Sequence, residues 1–112
     1  MECVIEEREN LAVVAVTGSL DALTAPRLVA VLADQVHQGR ARLVGDFSQV
    51  DFTSSAGLLA ILTALRDARA SGGDFRLADV PAKVKRVFDL SGFTELLQMF
   101  PSVAEAVASY AA

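Results

Sequence analysis

The sequence predicts an α/β fold, in which one domain contains a mixed, mostly parallel β-sheet, about four helices and an N-terminal β-hairpin. After two opening β-prone runs, strand-like and helix-like segments alternate along the chain. Such alternation over short loops favours parallel pairing through right-handed crossovers. The chain has 112 residues, which is the usual size of one domain. We therefore expect a single domain spanning residues 1–112.

The opening hairpin is predicted from two β-prone runs, at residues 3–7 and 11–17, around a polar turn at residues 8–10. The second run is apolar at nearly every position. This pattern indicates a strand buried on both faces, inside a sheet that has helices packed against it. We expect residues 18–21 to form the turn that leads to the first helix.

The first helix is amphipathic, because apolar residues repeat every four positions from Leu28 until Gly39 ends the pattern. Asp21 or Thr24 is available to cap it, and Pro26 suits its first turn. The remaining elements are, in order, a strand at residues 42–47, a helix that begins at Ser54 or Ser55, a strand around residues 75–77, a helix from Pro81, a strand at residues 96–100 and a last helix after Ser102.

The charge distribution argues against nucleic acid as a partner. The net charge is −4 and the basic residues are scattered, whereas nucleic-acid-binding proteins concentrate Lys and Arg on one face. The one local cluster is Lys83, Lys85 and Arg86, which we interpret as the solvent-exposed face of an amphipathic helix.

The sequence contains few of the residues and motifs that enzyme active sites, metal sites or membrane spans require. Cys3 is the only cysteine and His37 the only histidine, so no ligand cluster is expected, and no serine has a predicted imidazole beside it. No phosphate-binding or dinucleotide-binding loop is present, so we expect no cofactor.

The longest apolar runs are far shorter than the ~20 residues of a membrane span. The acidic first ten residues do not resemble a signal peptide. We expect a cytoplasmic, non-enzymatic protein without direct membrane insertion.

The unusual segment is residues 46–58, where a strand leads through a loop into a helix that begins with three adjacent hydroxyl residues. Unpaired amides and the dipole at a helix N-terminus stabilise an anion, so a phosphate on Ser55 would meet a favourable environment. Ala56 and Gly57 add little bulk, which would let a partner approach closely. The alternative is that a serine merely caps the helix and Gly57 allows tight packing.

This segment, DFSQVDFTSSAGL, resembles the hallmark of the STAS family of anti-sigma factor antagonists. In that family a strand ends in Asp-Leu-Ser, and Asp-Ser-Ser/Ala-Gly-Leu follows a few residues later at the start of a helix. GSLDALTAPRL, SGGDFRLADVPAKVKRVFDLSGF and SVAEAVASY resemble further family segments in the same order. The resemblance covers essentially the whole chain and implies a STAS fold.

Carried over by position, Ser55 matches the serine that a partner kinase phosphorylates, and Asp21 matches an acidic residue close to it. Ser54 stands where many members have Asp, and it is the second candidate for phosphorylation. Thr53 is the third. Asp21 would orient the serine or contact the kinase; alternatively, it caps the first helix.

The resemblance implies a switch between partners. The unmodified domain would bind an anti-sigma factor that is also a serine kinase, and thereby free a sigma factor. Phosphorylation would release the domain, and a serine phosphatase would reset it. The residues expected to contact the partner are Asp21, Phe52, Thr53, Ser54, Ala56, Gly57, Leu58 and Phe93. For Phe52, Leu58 and Phe93 the alternative is ordinary core packing.

Two other functions stay open from the sequence. One is a non-switching STAS scaffold, either in a stress-signalling complex or as an accessory subunit of a membrane lipid transporter. The other is a nucleotide-binding domain, although no loop offers a convincing phosphate-binding site. We recognise no motif that specifies the sigma factor, the kinase, the oligomeric state or the upstream signal.

Overall fold

A computed structural model describes residues 1–111, and the predicted domain end at residue 112 lies outside them. The elements alternate as predicted and form an α/β fold. They are β1 (Glu2–Glu7), β2 (Leu11–Leu20), α1 (Ala25–His37), β3 (Arg42–Thr53), α2 (Ser55–Ala70), β4 (Asp74–Ala78), α3 (Ala82–Ser91), a 3₁₀ helix (Phe93–Glu95), β5 (Met99–Phe100) and α4 (Val103–Ala108).

The five strands form one mixed sheet in the order β1-β2-β3-β4-β5. β1 pairs with β2 antiparallel, and the amide of Arg8 closes this hairpin by donating to the carbonyl of Leu11 at 2.8 Å. β2, β3, β4 and β5 pair with their neighbours in parallel. The predicted N-terminal hairpin and mostly parallel sheet are therefore confirmed.

The helices lie on both faces of the sheet. Each parallel strand is followed in the sheet by the next one along the chain, so right-handed crossovers place α1, α2 and α3 on the same face. The large core between these helices and the sheet includes Val14, Leu28, Leu43, Phe47, Ile61, Phe75 and Phe88. A smaller core lies under α4 on the other face and comprises Leu11, Val13, Val44, Ala78 and Ala106.

The chain after α4 is anchored to the sheet by Tyr110. Its hydroxyl lies 2.7 Å from the carbonyl oxygen of Leu43 and 2.8 Å from that of Asp74. The guanidinium carbon of Arg76 lies 4.0 Å from the centre of the Tyr110 ring, a distance that allows a cation–π interaction. These contacts hold the C-terminal segment against the beginnings of β3 and β4, at the edge of the sheet opposite Ser55.

Two strands run further than predicted. β2 continues to Leu20 and β3 to Thr53, so residues 18–20 belong to a strand and not to the predicted turn. The β2–β3 register is irregular between Ala15 and Thr17 and between Gly18 and Ser19. The apolar runs used for the prediction stop where this irregular, more polar part begins, so both strands were predicted too short.

The last strand is shorter than predicted. Only Met99–Phe100 is extended, whereas residues 93–95 form a 3₁₀ helix. The amides of Leu96 and Leu97 both donate to the carbonyl of Phe93, at 2.9 and 3.1 Å. The buried side chain of Leu97 therefore reaches the core from a tight turn and not from a strand, which the apolar run in the sequence did not distinguish.

Candidate functional site

The predicted site residues lie where β2 and β3 end side by side. Leu20 is paired with Thr53, the last residue of β3. The amide of Ser54 extends this pairing by donating to the carbonyl of Leu20 at 2.8 Å. Because parallel strands end at the same edge of a sheet, the turn at Asp21 and the start of α2 lie at this edge together, which is where open α/β sheets usually bind ligands.

Asp21 organises the turn into α1. Its Oδ1 accepts hydrogen bonds from the amides of Leu23, at 2.9 Å, and Thr24, at 3.1 Å, and its own amide donates to Thr24 Oγ1 at 2.9 Å. The backbone bonds from Thr24 and then Leu23 hold the pKa of Asp21 below its ordinary value. Asp21 is thus a carboxylate at neutral pH, engaged with its own turn. Within residues 1–111 it makes no hydrogen bond to Ser55.

Ser55 is the first residue of α2, and it is exposed. The first turn of this helix has no acidic side chain, and the residue in the cap position, Ser54, makes no side-chain capping bond. The N-terminal amides of a 16-residue helix are therefore free of side-chain partners beside the Ser55 hydroxyl. Partial positive charge at such a helix end stabilises an anion.

Ser54 occupies the cap position without capping. Among residues 1–111, its Oγ is the buried side-chain polar atom that has no hydrogen-bond partner. An unsatisfied buried hydroxyl costs about 1–3 kcal/mol. Because Ser54 Oγ is buried and Ser55 is exposed, Ser55 is the more accessible of the two candidate serines.

Thr53 lies beneath the start of α2 and is only 3% exposed, and Gly57 is buried within the first turn of that helix. A Cβ placed on Gly57 would lie 2.3 Å from Thr53 Oγ1 and 2.9 Å from the Cβ of Leu20. Such contacts are too short for any side chain, so glycine allows α2 to approach β2 this closely. In this conformation both residues are buried and position the helix.

Exposed apolar side chains lie on the segments that adjoin Ser55 at this edge of the sheet. Phe52 is 52% exposed, Leu59 is 62% exposed and Leu23 is 91% exposed. A groove of about 300 Å³ runs between α1 and α2 and is lined by Ala22, Ala25, Pro26, Val29, Ala56, Leu59, Ala60 and Thr63. Sequence reasoning missed Leu23 and Leu59. Leu59 could have been found, because it lies outside the apolar stripe that α2 directs at the core.

Leu58 and Phe93 are placed differently from Phe52. Leu58 is half-buried and packs against the main core. Phe93 is also half-buried, and its ring stacks on Phe88 with 6.5 Å between the ring centres. Core packing was the alternative for both residues, and their burial favours it. Phe52 instead borders solvent, in a depression of about 170 Å³ formed with Asp51, Thr53, Lys83, Val84 and Val87.

Ser55 has no histidine beside it in the described part of the chain. The only histidine of the chain, His37, lies near Asp67 and Ser71 at the far end of α2. Since a 16-residue helix is ~24 Å long, His37 is remote from Ser55. Within residues 1–111, no group of three or more His, Cys, Asp or Glu side chains is arranged to hold a metal ion. The helices in the described part of the chain are all too short or too polar to cross a membrane.

A comparison with curated proteins finds a relative of nearly equal length. BtrV of Bordetella bronchiseptica, which carries the provisional name anti-sigma factor antagonist, is 31% identical over 110 residues, which make up 98% of this chain and 95% of the relative.

Solved structures share the fold. A Thermotoga maritima protein, also provisionally named an anti-sigma factor antagonist, superimposes with a TM-score of 0.88 at 20% identity, covering 96% of this chain and 92% of its own. The Bacillus anti-sigma factor antagonist SpoIIAA superimposes in its unphosphorylated form with a TM-score of 0.82 at 23% identity, covering 95% and 93%. The phosphorylated form of SpoIIAA superimposes with a TM-score of 0.75 at 22% identity, covering 96% of this chain and 98% of its own.

These structural likenesses establish the fold, and the sequence comparisons establish the family. The model of the STAS domain family matches residues 2–106, which is nearly the whole chain. The match includes both strand ends, the exposed Ser55 and the start of α2. The chain belongs to the STAS domain family, together with relatives named as anti-sigma factor antagonists.

Proposed function

We propose that this protein is an anti-sigma factor antagonist controlled by phosphorylation of Ser55. In its unmodified form it binds an anti-sigma factor that is also a serine kinase, and a sigma factor is freed. Phosphate on Ser55 ends the binding, and a serine phosphatase restores it. The protein itself works in the cytoplasm as a binding partner, without a catalytic step, a cofactor, nucleic-acid binding or insertion into a membrane.

The observation that carries this proposal is the position of the Ser55 hydroxyl. It is exposed at the uncapped N-terminus of α2, on a surface that also exposes Phe52 and Leu59. A partner that covers these apolar side chains would also cover Ser55. Modification and binding would then compete for the same few residues.

A phosphate at this position would change the binding free energy enough to act as a switch. Phosphorylation adds about −1.5 to −2 charges at neutral pH. An unpaired charge buried in an interface costs roughly 2–5 kcal/mol, which weakens binding about 30-fold to several thousand-fold. The groove next to Ser55 is lined almost entirely by apolar residues, so compensation for a covered phosphate would have to come from the N-terminus of α2.

The relatives support the proposal. BtrV carries the provisional name of anti-sigma factor antagonist. SpoIIAA, which shares the fold, has been solved in unphosphorylated and phosphorylated forms, so a protein with this architecture accepts a phosphate. Transferring the function to this chain is our inference.

The decisive experiment is mass spectrometry of the protein isolated from its native cells, with phosphate mapped within residues 52–65. The wild type should carry phosphate on Ser55, and Ser55→Ala should carry none. Ser71→Ala, which changes an exposed serine at the other end of α2, is the matched control and should keep the phosphate. Proteins captured by Ser55→Ala should include a serine kinase, and Ser55→Asp should capture less of it.

A different result would favour the non-switching scaffold. One observation points that way, because Ser54 replaces the Asp found in many members of the family. If Ser55 carries no phosphate under any growth condition while the protein still forms a stable complex, the switch is wrong. The protein would then act as a constitutive scaffold or as an accessory subunit of a transporter.

A further inference from the structure

The side chain of Ser54 is free although its backbone is fixed. The amide donates to the carbonyl of Leu20 at 2.8 Å, and its carbonyl accepts from the amide of Leu58 at 3.1 Å. Its Oγ is buried and, among residues 1–111, makes no hydrogen bond. Since buried hydroxyl groups nearly always have partners, an unpartnered one calls for an explanation.

Ser102 shows that the missing bond is not a property of serine in this position. Ser102 also precedes a helix, with φ −148° and ψ 159°, and Ser54 is similarly extended, with φ −95° and ψ 179°. Yet Ser102 Oγ accepts from the amide of Glu105 at 3.1 Å and lies 3.1 Å from its carboxylate. The N-terminus of α4 is therefore capped, whereas that of α2 leaves both its amides and a hydroxyl without side-chain partners.

We propose that Ser54 is a positioning residue whose free hydroxyl donates a hydrogen bond to a phosphoryl oxygen when Ser55 is phosphorylated. The inference rests on the proposed function, because it takes Ser55 as the modified residue. A phosphate presents three strong acceptor oxygens, and a serine hydroxyl has one proton to donate. The hydroxyl has no existing bond to lose when it rotates to a new staggered position. Ser54 is then part of the phosphate-binding environment and not a second phosphorylation site.

The residue type is important at this position. Many members of the family have Asp here, but an ionised carboxylate has no proton to donate and repels a phosphate. Ser54 and the N-terminal amides of α2 instead supply donors only. This chain should therefore hold a phosphorylated Ser55 in a more favourable environment than a variant with Asp at the same position.

The test uses the full chain with phosphoserine incorporated at position 55 during synthesis, so that no kinase is needed. Phosphorus NMR then gives the second pKa of the phosphoserine, which is about 6 when free. A donor to the dianion lowers this pKa. Ser54→Ala should raise it by about 0.5 to 1, the size expected for one hydrogen bond. Ser54→Thr should keep the wild-type pKa of the phosphoserine. Ser54→Asp should raise this pKa more than Ser54→Ala does, and Ser71→Ala should leave it unchanged.

A second measurement separates this role from capping. In the unmodified protein, Ser54→Ala should leave the midpoint of urea unfolding unchanged or raise it, because it removes an unsatisfied hydroxyl. Ser102→Ala removes a formed cap and should lower the midpoint. Equal pKa values for wild type and Ser54→Ala, or a loss of stability in Ser54→Ala as large as in Ser102→Ala, would overturn the proposal. Failure of the switch itself would appear separately, as the absence of phosphate on Ser55 in native cells.

Discussion

The amide of Ser54 donates a 2.8 Å hydrogen bond to the carbonyl of Leu20. This bond joins the start of α2 to the end of β2. It places Ser55 at the same edge of the sheet as the turn that Asp21 organises. The geometry of the candidate site therefore depends on the packing between these two strand ends, and several consequences can be measured.

Leu23, in the turn into α1, and Leu59, one helical turn after Ser55, are exposed and should contribute to binding of the proposed partner. Burying one leucine in an interface contributes about 1.5–3 kcal/mol, so Leu23→Ser and Leu59→Ser should each weaken binding to the proposed anti-sigma factor about 10- to 150-fold. Calorimetric titration measures the affinity. Leu90→Ser is the matched control, because Leu90 is 82% exposed on α3. A similar loss in Leu90→Ser, or none in the other two, would place the interface elsewhere.

Gly57→Ala should destabilise the protein by about 1–3 kcal/mol, which is the usual effect of overpacking a core. The added methyl group would lie 2.3 Å from Thr53 Oγ1 and 2.9 Å from Leu20 Cβ, so α2 or these side chains must shift. Urea unfolding measures the loss. Thr53→Ala removes one of the clashing atoms, and the double variant should therefore be more stable than the sum of the two single effects predicts. Strict additivity would show that Thr53 does not restrict this position.

Tyr110→Phe should destabilise the protein by about 1–2 kcal/mol at neutral pH, because it removes a buried hydroxyl and leaves its carbonyl partners without it. The ring remains to pack against Arg76. Urea unfolding of the two proteins measures the difference, and Tyr110→Leu should lose more because the contact with Arg76 also disappears. Equal stability of the wild type and Tyr110→Phe would show that the hydroxyl bonds contribute nothing.

The advantage of Tyr110 over Phe should also disappear in alkali. Burial first, and then the charge of Asp74, raise the pKa of Tyr110 above its ordinary value. The unfolded chain releases this proton near pH ~10 and the folded protein only at higher pH, so the stabilisation is complete below pH ~10 and falls as pH rises further. Tyr110 is the only tyrosine and no tryptophan is present, so ultraviolet absorbance follows its ionisation directly. Ionisation at the ordinary pKa in the folded state would contradict the prediction.

Asp21 should make stability depend on pH in the acid range. Backbone bonds from Thr24 and Leu23 lower its pKa, so its contribution is present above the unfolded pKa of ~3.9 and is lost as pH falls through the lower folded value. Asp21→Asn can accept the same bonds but does not titrate. Urea unfolding between about pH 5 and pH 2 should therefore show a shallower decline for Asp21→Asn than for the wild type. Parallel curves would show that Asp21 makes no such contribution.

The order of elements was predictable because its signals are local. The apolar periodicity of α1, the polar turn after β1 and the capping-box spacing of Ser102 and Glu105 each involve neighbouring residues, and the structure has all three. The ends of β2 and β3 were predicted too early. Their last residues are held by pairing between segments far apart in the chain, such as Ser19 with Phe52, and polar residues in an irregular strand resemble a loop.

Residue order and spacing alone predict the α/β fold and the STAS family, and they single out the segment around Ser55 as the candidate site. Which hydroxyl is accessible depends instead on tertiary contacts. The pairing of Leu20 with Thr53 and the close approach at Gly57 bring β2 and α2 together, so Ser54 Oγ is buried while Ser55 faces solvent. Burial depends on contacts between distant segments, so the sequence of two adjacent serines does not show which of them is buried.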